Sequence, residues 1–96
     1  MDLTQLQQRV VASRNEHEQL YPLDCAIHSL YITVAAVTKL AMNALFHGQK
    51  ISPVTAKAAL APVARALMLT CAAMGVTLAD VIAQSVQEEQ AHANGS

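Results

Sequence analysis

Apolar residues recur with a helical period along almost the whole chain, and three breaks divide them. Leu3, Leu6, Val10, Ser13, His17 and Leu20 follow a 3-4-3-4-3 spacing, which lines one side of a helix. A first helix is expected over 3–20, with this stripe turned inward. Tyr21-Pro22 ends it, because Pro22 cannot continue the hydrogen-bond ladder. A second helix is expected over 23–46, with Asp24 in its first turn complementing the dipole and Gly48 as its stop. The run Tyr31-Ile32-Thr33-Val34 has β-propensity but lies inside this longer segment without turn signals, so it is read as helix.

Ser52-Pro53 opens a third helix, Ser52 as cap and Pro53 at the first helical position. It is expected to reach Met74, to kink at Pro62 and to stop at Gly75. Thr77-Leu78-Ala79-Asp80 fits a capping box with Asp in place of Glu. It starts a fourth helix over 78–90 with Leu78, Val81, Ile82, Ser85 and Val86 on one face. Residues 91–96 are polar and expected to be a disordered tail. The fold expected is all-α: a four-helix bundle in one domain, 1–96, with an N-terminal helix over 1–21 and a core over 22–90. The second and third helices form its central antiparallel hairpin.

The second helix is apolar on nearly every side, which reads as a central buried helix. Its one polar ridge is Lys39, Asn43 and His47 at i, i+4 and i+8. That ridge is the best candidate for contacting a polar ligand or partner. Composition changes the picture of the core. Apolar residues make up 53% of the chain, but 18 of them are alanines and only Tyr21, Tyr31 and Phe46 are aromatic. Such a chain has a thin core of its own, and three neighbouring helices cannot surround the second one. A second copy is the natural cover, so a homo-oligomer is expected, as a dimer. Val34, Val37, Leu40, Ala41 and Ala44 are the candidate self-association residues.

Charge is segregated. Between Asp24 and Asp80 lie 55 residues without Asp or Glu, whose only charges are Lys39, Lys50, Lys57 and Arg65. Residues 1–24 sum to −2 and residues 80–96 to −3. Mg²⁺ needs carboxylate oxygens and acid/base catalysis usually needs His, Glu or Asp in a cleft, so no catalytic residues, metal ligands or cofactors are expected. A net charge of −1 without a basic patch gives no case for nucleic acid. The near-uncharged runs 25–38 and 58–76 invite comparison with a membrane hairpin. The first is short and interrupted by His28, and the second carries Pro62 and Arg65 near its middle. A membrane is therefore not expected.

Cys25 and Cys71 lack zinc-ligand or CxxC spacing and read as buried free thiols of a reducing compartment. The first twenty residues are polar, unlike a secretory leader, and the expected location is cytoplasmic. Asp24 and His28 lie one helical turn apart, read as a partly buried His paired to a first-turn Asp rather than a metal site. Met42, Met68 and Met74 read as core fillers. Gly48, Gly75 and Gly95 are isolated, so no phosphate-binding loop is present.

Three places carry a family resemblance: Leu45-Phe46-His47-Gly48, the helix Leu60 to Met74, and the step Gly75-Val76-Thr77-Leu78-Ala79-Asp80-Val81. Over roughly residues 24–90 their order resembles the MazG-like all-α nucleoside triphosphate pyrophosphohydrolases. Members hold Mg²⁺ with an ExxE pair on one helix and an ExxD pair on the next. The resemblance puts the second pair on Ala59 and Pro62, and the first within Ala35 to Lys39. An Asn and a Lys that help with nucleotide fall on Ser85 and on Glu88 or Glu89. Every functional position that can be placed is lost, so the resemblance implies a degenerate member: a non-catalytic, self-associating module for a protein partner or a small, nucleotide-like ligand. The alternative is a Mg²⁺-dependent pyrophosphohydrolase with atypical ligands.

Overall fold

The computed structural model describes residues 1–95, and every regular element among them is a helix: α1 (Leu3–Ala12), α2 (Glu16–Leu20), α3 (Pro22–His47), α4 (Pro53–Ala73) and α5 (Leu78–Gly95). The all-α expectation holds, with five helices among the described residues rather than four. The difference lies at Ser13-Arg14-Asn15, where the expected helix over 3–20 breaks in two. Asn15 Oδ1 accepts the Glu18 N–H at 2.8 Å, and Glu18 Oε1 accepts the Asn15 N–H at 3.1 Å. This reciprocal box satisfies two donors that a continuous helix would have used internally, and so starts a new helix at Glu16. Ser13 Oγ and Arg14 Nε donate to the carbonyls of Val10 and Val11 at 2.7 and 3.0 Å, closing off α1.

The other boundaries follow the expected punctuation. Gly48 ends α3 with φ 66°, a left-handed conformation that an L side chain rarely adopts. Ser52 Oγ accepts the Thr55 N–H at 3.1 Å, and Pro53 takes the first position of α4. α4 runs through Pro62 unbroken. Thr77 Oγ1 accepts the Asp80 N–H at 3.2 Å at the start of α5. The segment expected to be a disordered tail is helical through Gly95, and Ser96 lies outside the described residues.

α3 and α4 form the hairpin, joined by residues 48–52. Among the less exposed positions of α3, Ala26, Leu30, Thr33, Val37, Leu40 and Ala44 follow the three-and-four spacing of a single seam. Ala56, Ala59, Val63, Ala66 and Thr70 form the matching strip of α4. Only Ala26 of α3 is fully buried, which corrects the expectation of a central buried helix. α4 covers one side of α3, and α2 touches it, but α1 and α5 pack against α4 and each other instead.

The core therefore sits at one end. Met68, Cys71 and Leu78 are buried there, with Leu3, Val10 and Leu67 packed against them. The inward stripe of α1 is Leu3, Gln7 and Val10; Leu6, Ser13, His17 and Leu20 of the expected stripe are exposed. Gln7 is buried because it has backbone to satisfy. Its Nε2 donates to the Val76 carbonyl at 3.0 Å, and its Oε1 accepts the Leu78 N–H at 2.7 Å. Leu78 opens α5, where the first N–H groups lack partners within the helix. Just before it, Val76 N–H bonds the Cys71 carbonyl at 2.9 Å and Gly75 N–H that of Ala72 at 3.1 Å. These are the two bonds of a Schellman turn, with Gly75 at φ 78°. Gln7 thus clips α1 to the joint between α4 and α5.

Replacing Gln7 by Leu keeps the volume and leaves a buried N–H and C=O without partners. The expected loss is about 3 kcal/mol of unfolding free energy, read from the urea midpoint at unchanged slope. A loss below about 0.5 kcal/mol would mean that the clip is dispensable.

Candidate functional site

Two surfaces stand out. The first is a recess of about 710 Å³ where α2 meets α3, lined by residues of both and by Arg65 of α4. Its floor is an ion pair made possible by the second capping box. The box turns Glu18 toward α4, and Arg65 Nη1 and Nη2 donate to its two carboxylate oxygens at 3.0 and 3.3 Å. The Glu18 side chain is 14% exposed and that of Arg65 40%. The fork of guanidinium against carboxylate fixes orientation as well as charge. Arg65 holds the Glu18 carboxyl below its ordinary value of 4.5, helped by the bond from the Asn15 backbone.

Around this pair the recess holds His17, Tyr21, Asp24, Cys25 and His28. The rings of His17 and Tyr21 lie 5.2 Å apart at 52°. Cys25 is half-buried, with its Sγ 3.8 Å from the His17 carbonyl, whereas Cys71 is buried in the core. The expected Asp24–His28 pair does not form: both residues are exposed and no bond joins them. Their separation of one turn puts them on the same side of α3, but that side faces solvent. No three of the His, Cys, Asp and Glu side chains among the described residues converge as metal ligands.

The second surface is the open side of α3. A rotation of 100° per residue puts Ile27, Tyr31, Val34, Ala41, Met42 and Leu45 on one face, away from the seam with α4. All six are exposed, Tyr31 at 77% and Leu45 at 75%. A shallow recess of about 420 Å³ is lined by Ile27, Leu30, Tyr31, Val34 and Ala35. Of the expected self-association residues, Val34 and Ala41 lie on this open face. Val37, Leu40 and Ala44 lie half-buried on the strip toward α4. By the same rotation Lys39 lies about 80° round the helix from Tyr31, at the edge of the face, and Asn43 and His47 turn progressively farther from it. Lys39 and His47 are exposed and Asn43 half-buried. They line no recess with other polar groups.

The Glu18–Arg65 recess escaped sequence reasoning, although Asn15-x-x-Glu18 was a readable capping signal. Nothing in sequence alone connects Glu18 to Arg65. α3 and α4 are each long and apolar enough to cross a membrane, by length and composition. No protein-family model, curated protein or solved structure matches this chain.

The Glu18–Arg65 pair gives a pH prediction. Because the folded carboxyl titrates below 4.5, its stabilisation is fully present above that value and fades as pH falls through the lower, folded value. Glu18→Gln retains the cap and loses the charge. It should be less stable than the parent by about 1 kcal/mol at pH 7, a value discounted for the exposure of Arg65. The two chains should converge in parallel denaturant titrations once the pH has fallen below the folded value. A gap that does not shrink as the pH falls below 4.5 would assign the difference to packing.

Proposed function

We propose that this chain is a non-catalytic, MazG-like helical module that self-associates through the open face of α3 and acts by binding a partner protein or small ligand. The observation that carries the proposal is excess surface. The accessible area is 7056 Å², whereas a folded monomer of 10.2 kDa exposes about 5,300 Å². The radius of gyration is 15.8 Å, against about 12.5 Å for a compact domain of this length. The excess of about 1,700 Å² per chain matches what one subunit contributes to a large obligate interface. The part of this surface that is apolar, left uncovered, favours aggregation.

Lipid would cover the same residues, and the length of α3 and α4 favours that second reading. Charge favours protein instead. Lys39 lies inside α3, and Arg65, well inside α4, is held in an ion pair rather than against a helix end. Light scattering at micromolar concentration, in buffer without detergent, should give twice 10.2 kDa. Leu45→Asp, on the open face, should remain helical and lose the dimer, because association would bury an unpaired charge. A fully helical parent at monomer mass would overturn the proposal, as would recovery only in alkali-resistant membranes.

The non-catalytic part rests on the carboxylate-free interval from residue 25 to 79. With no oxygen cage on α3 beyond its first turn, or on α4, Mg²⁺ should bind no tighter than millimolar in calorimetric titration. A panel of nucleoside triphosphates should release no pyrophosphate. Turnover abolished by a chelator would restore the alternative, a pyrophosphohydrolase with unusual ligands.

A further inference from the structure

Beyond its first turn, the described part of α5 buries no residue. Leu78 is buried, but Val81, Ile82 and Val86 of the same stripe are exposed, and every residue from 81 to 95 is open to solvent. An amphipathic helix with its apolar stripe uncovered is half of an interface. The open face of α3 is the other unpartnered apolar stripe, and the two do not touch within one chain. The Gln7 clip explains why. By holding the Val76 carbonyl and the Leu78 N–H, it fixes the direction in which α5 leaves the core, so α5 cannot swing back onto its own α3.

Resting on the self-association proposed above, we infer that α5 of one copy lies along the open face of α3 in a second copy, with Glu88 and Glu89 against Lys39. Lengths, charge and spacing agree. Ile27 to Leu45 spans about 27 Å and Leu78 to Gly95 about 26 Å at a rise of 1.5 Å per residue. α5 carries Asp80, Glu88 and Glu89 and no Lys or Arg, whereas α3 after its first turn carries only Lys39 among fixed charges. Tyr31 precedes Lys39 by eight residues, and Val81 precedes Glu89 by eight. In a parallel alignment at that register Val81 and Ile82 then lie beside Tyr31 and Val34 of the recess, and the acids come level with the lysine. Reciprocal exchange covers both faces in a dimer.

Charge reversal tests this without touching the core. Lys39→Glu makes arm and face both acidic, and Glu88→Lys/Glu89→Lys makes both basic. Each variant alone should keep the parent's helicity and dissociate about tenfold more readily in sedimentation equilibrium at low salt. An equimolar mixture should form a mixed dimer at the parent's affinity, because each arm then meets an opposite face. A dimer insensitive to both variants would leave self-association standing and overturn the exchange of arms. Recovery in a chain carrying all three substitutions, but not in the mixture, would place the contact within one chain and also overturn it. A parent that is monomeric from the outset would remove the proposed function and this inference together.

Discussion

One amide side chain ties together the closed end of this molecule. Gln7 meets a donor and an acceptor of the backbone joint between α4 and α5, at 2.7 and 3.0 Å. No apolar residue could do so, and no charged one could do so without carrying an unpaired charge into the core. With that joint satisfied, Leu78 can be buried against Met68 and Cys71, and α1 acquires a fixed rotation. Its Leu6 points outward as a consequence. The same bond sets the exit of α5, so a contact at residue 7 decides the accessibility of residues 81–86.

At the other end of the hairpin a different constraint dominates. α3 and α4 approach through alanines and small β-branched residues, a seam that brings backbones close but buries little area per residue. Ala56, Ala59 and Ala66 pack well against α3 and leave nothing over to wrap around it. The result is a two-helix layer with a solvent-facing side rich in Tyr31, Met42, Leu45 and Phe46. Larger residues on α4 would have widened the seam without reaching that far side. A third helix or a second chain is the geometric remedy, and within this chain α1 and α2 are too short, at ten and five residues, to serve.

The sequence made the helix ends legible wherever a residue acts on its neighbours. Pro22, Gly48, Ser52, Gly75 and Thr77 each satisfy or remove local backbone groups, and each marks an observed boundary. Asn15 acts in the same local way, and its box with Glu18 was readable but masked by the continuous periodicity of residues 3–20. Hidden were the relations across the chain. Periodicity ranks Leu6 above Gln7 for the core, because it cannot know that a bare N–H waits 71 positions away. It likewise identifies α3 as apolar all round without saying which part of that surface α4 takes. Val37, Leu40 and Ala44 turned out on that seam, Val34 and Ala41 outside it. The Glu18–Arg65 recess needed three helices in place before it existed.

The absence of acids from residues 25–79 has a structural meaning besides the loss of metal ligands. A carboxylate on the open face of α3 would have a short stem and would be desolvated with whatever covers that face. Lysine differs, since its four-carbon stem lies along apolar surface while the ammonium reaches water at the edge. Lys39 sits at the flank of the face, where this arrangement is possible, and no charge sits at its centre. The acids are displaced to the N-cap of α1 (Asp2), to α2 and to α5, the first turn of α3 aside. On α2 one of them, Glu18, is drawn to the cation that α4 carries. The charge pattern fits the burial proposed for the uncovered face, since a surface that accepts burial cannot carry groups whose hydration is costly to remove.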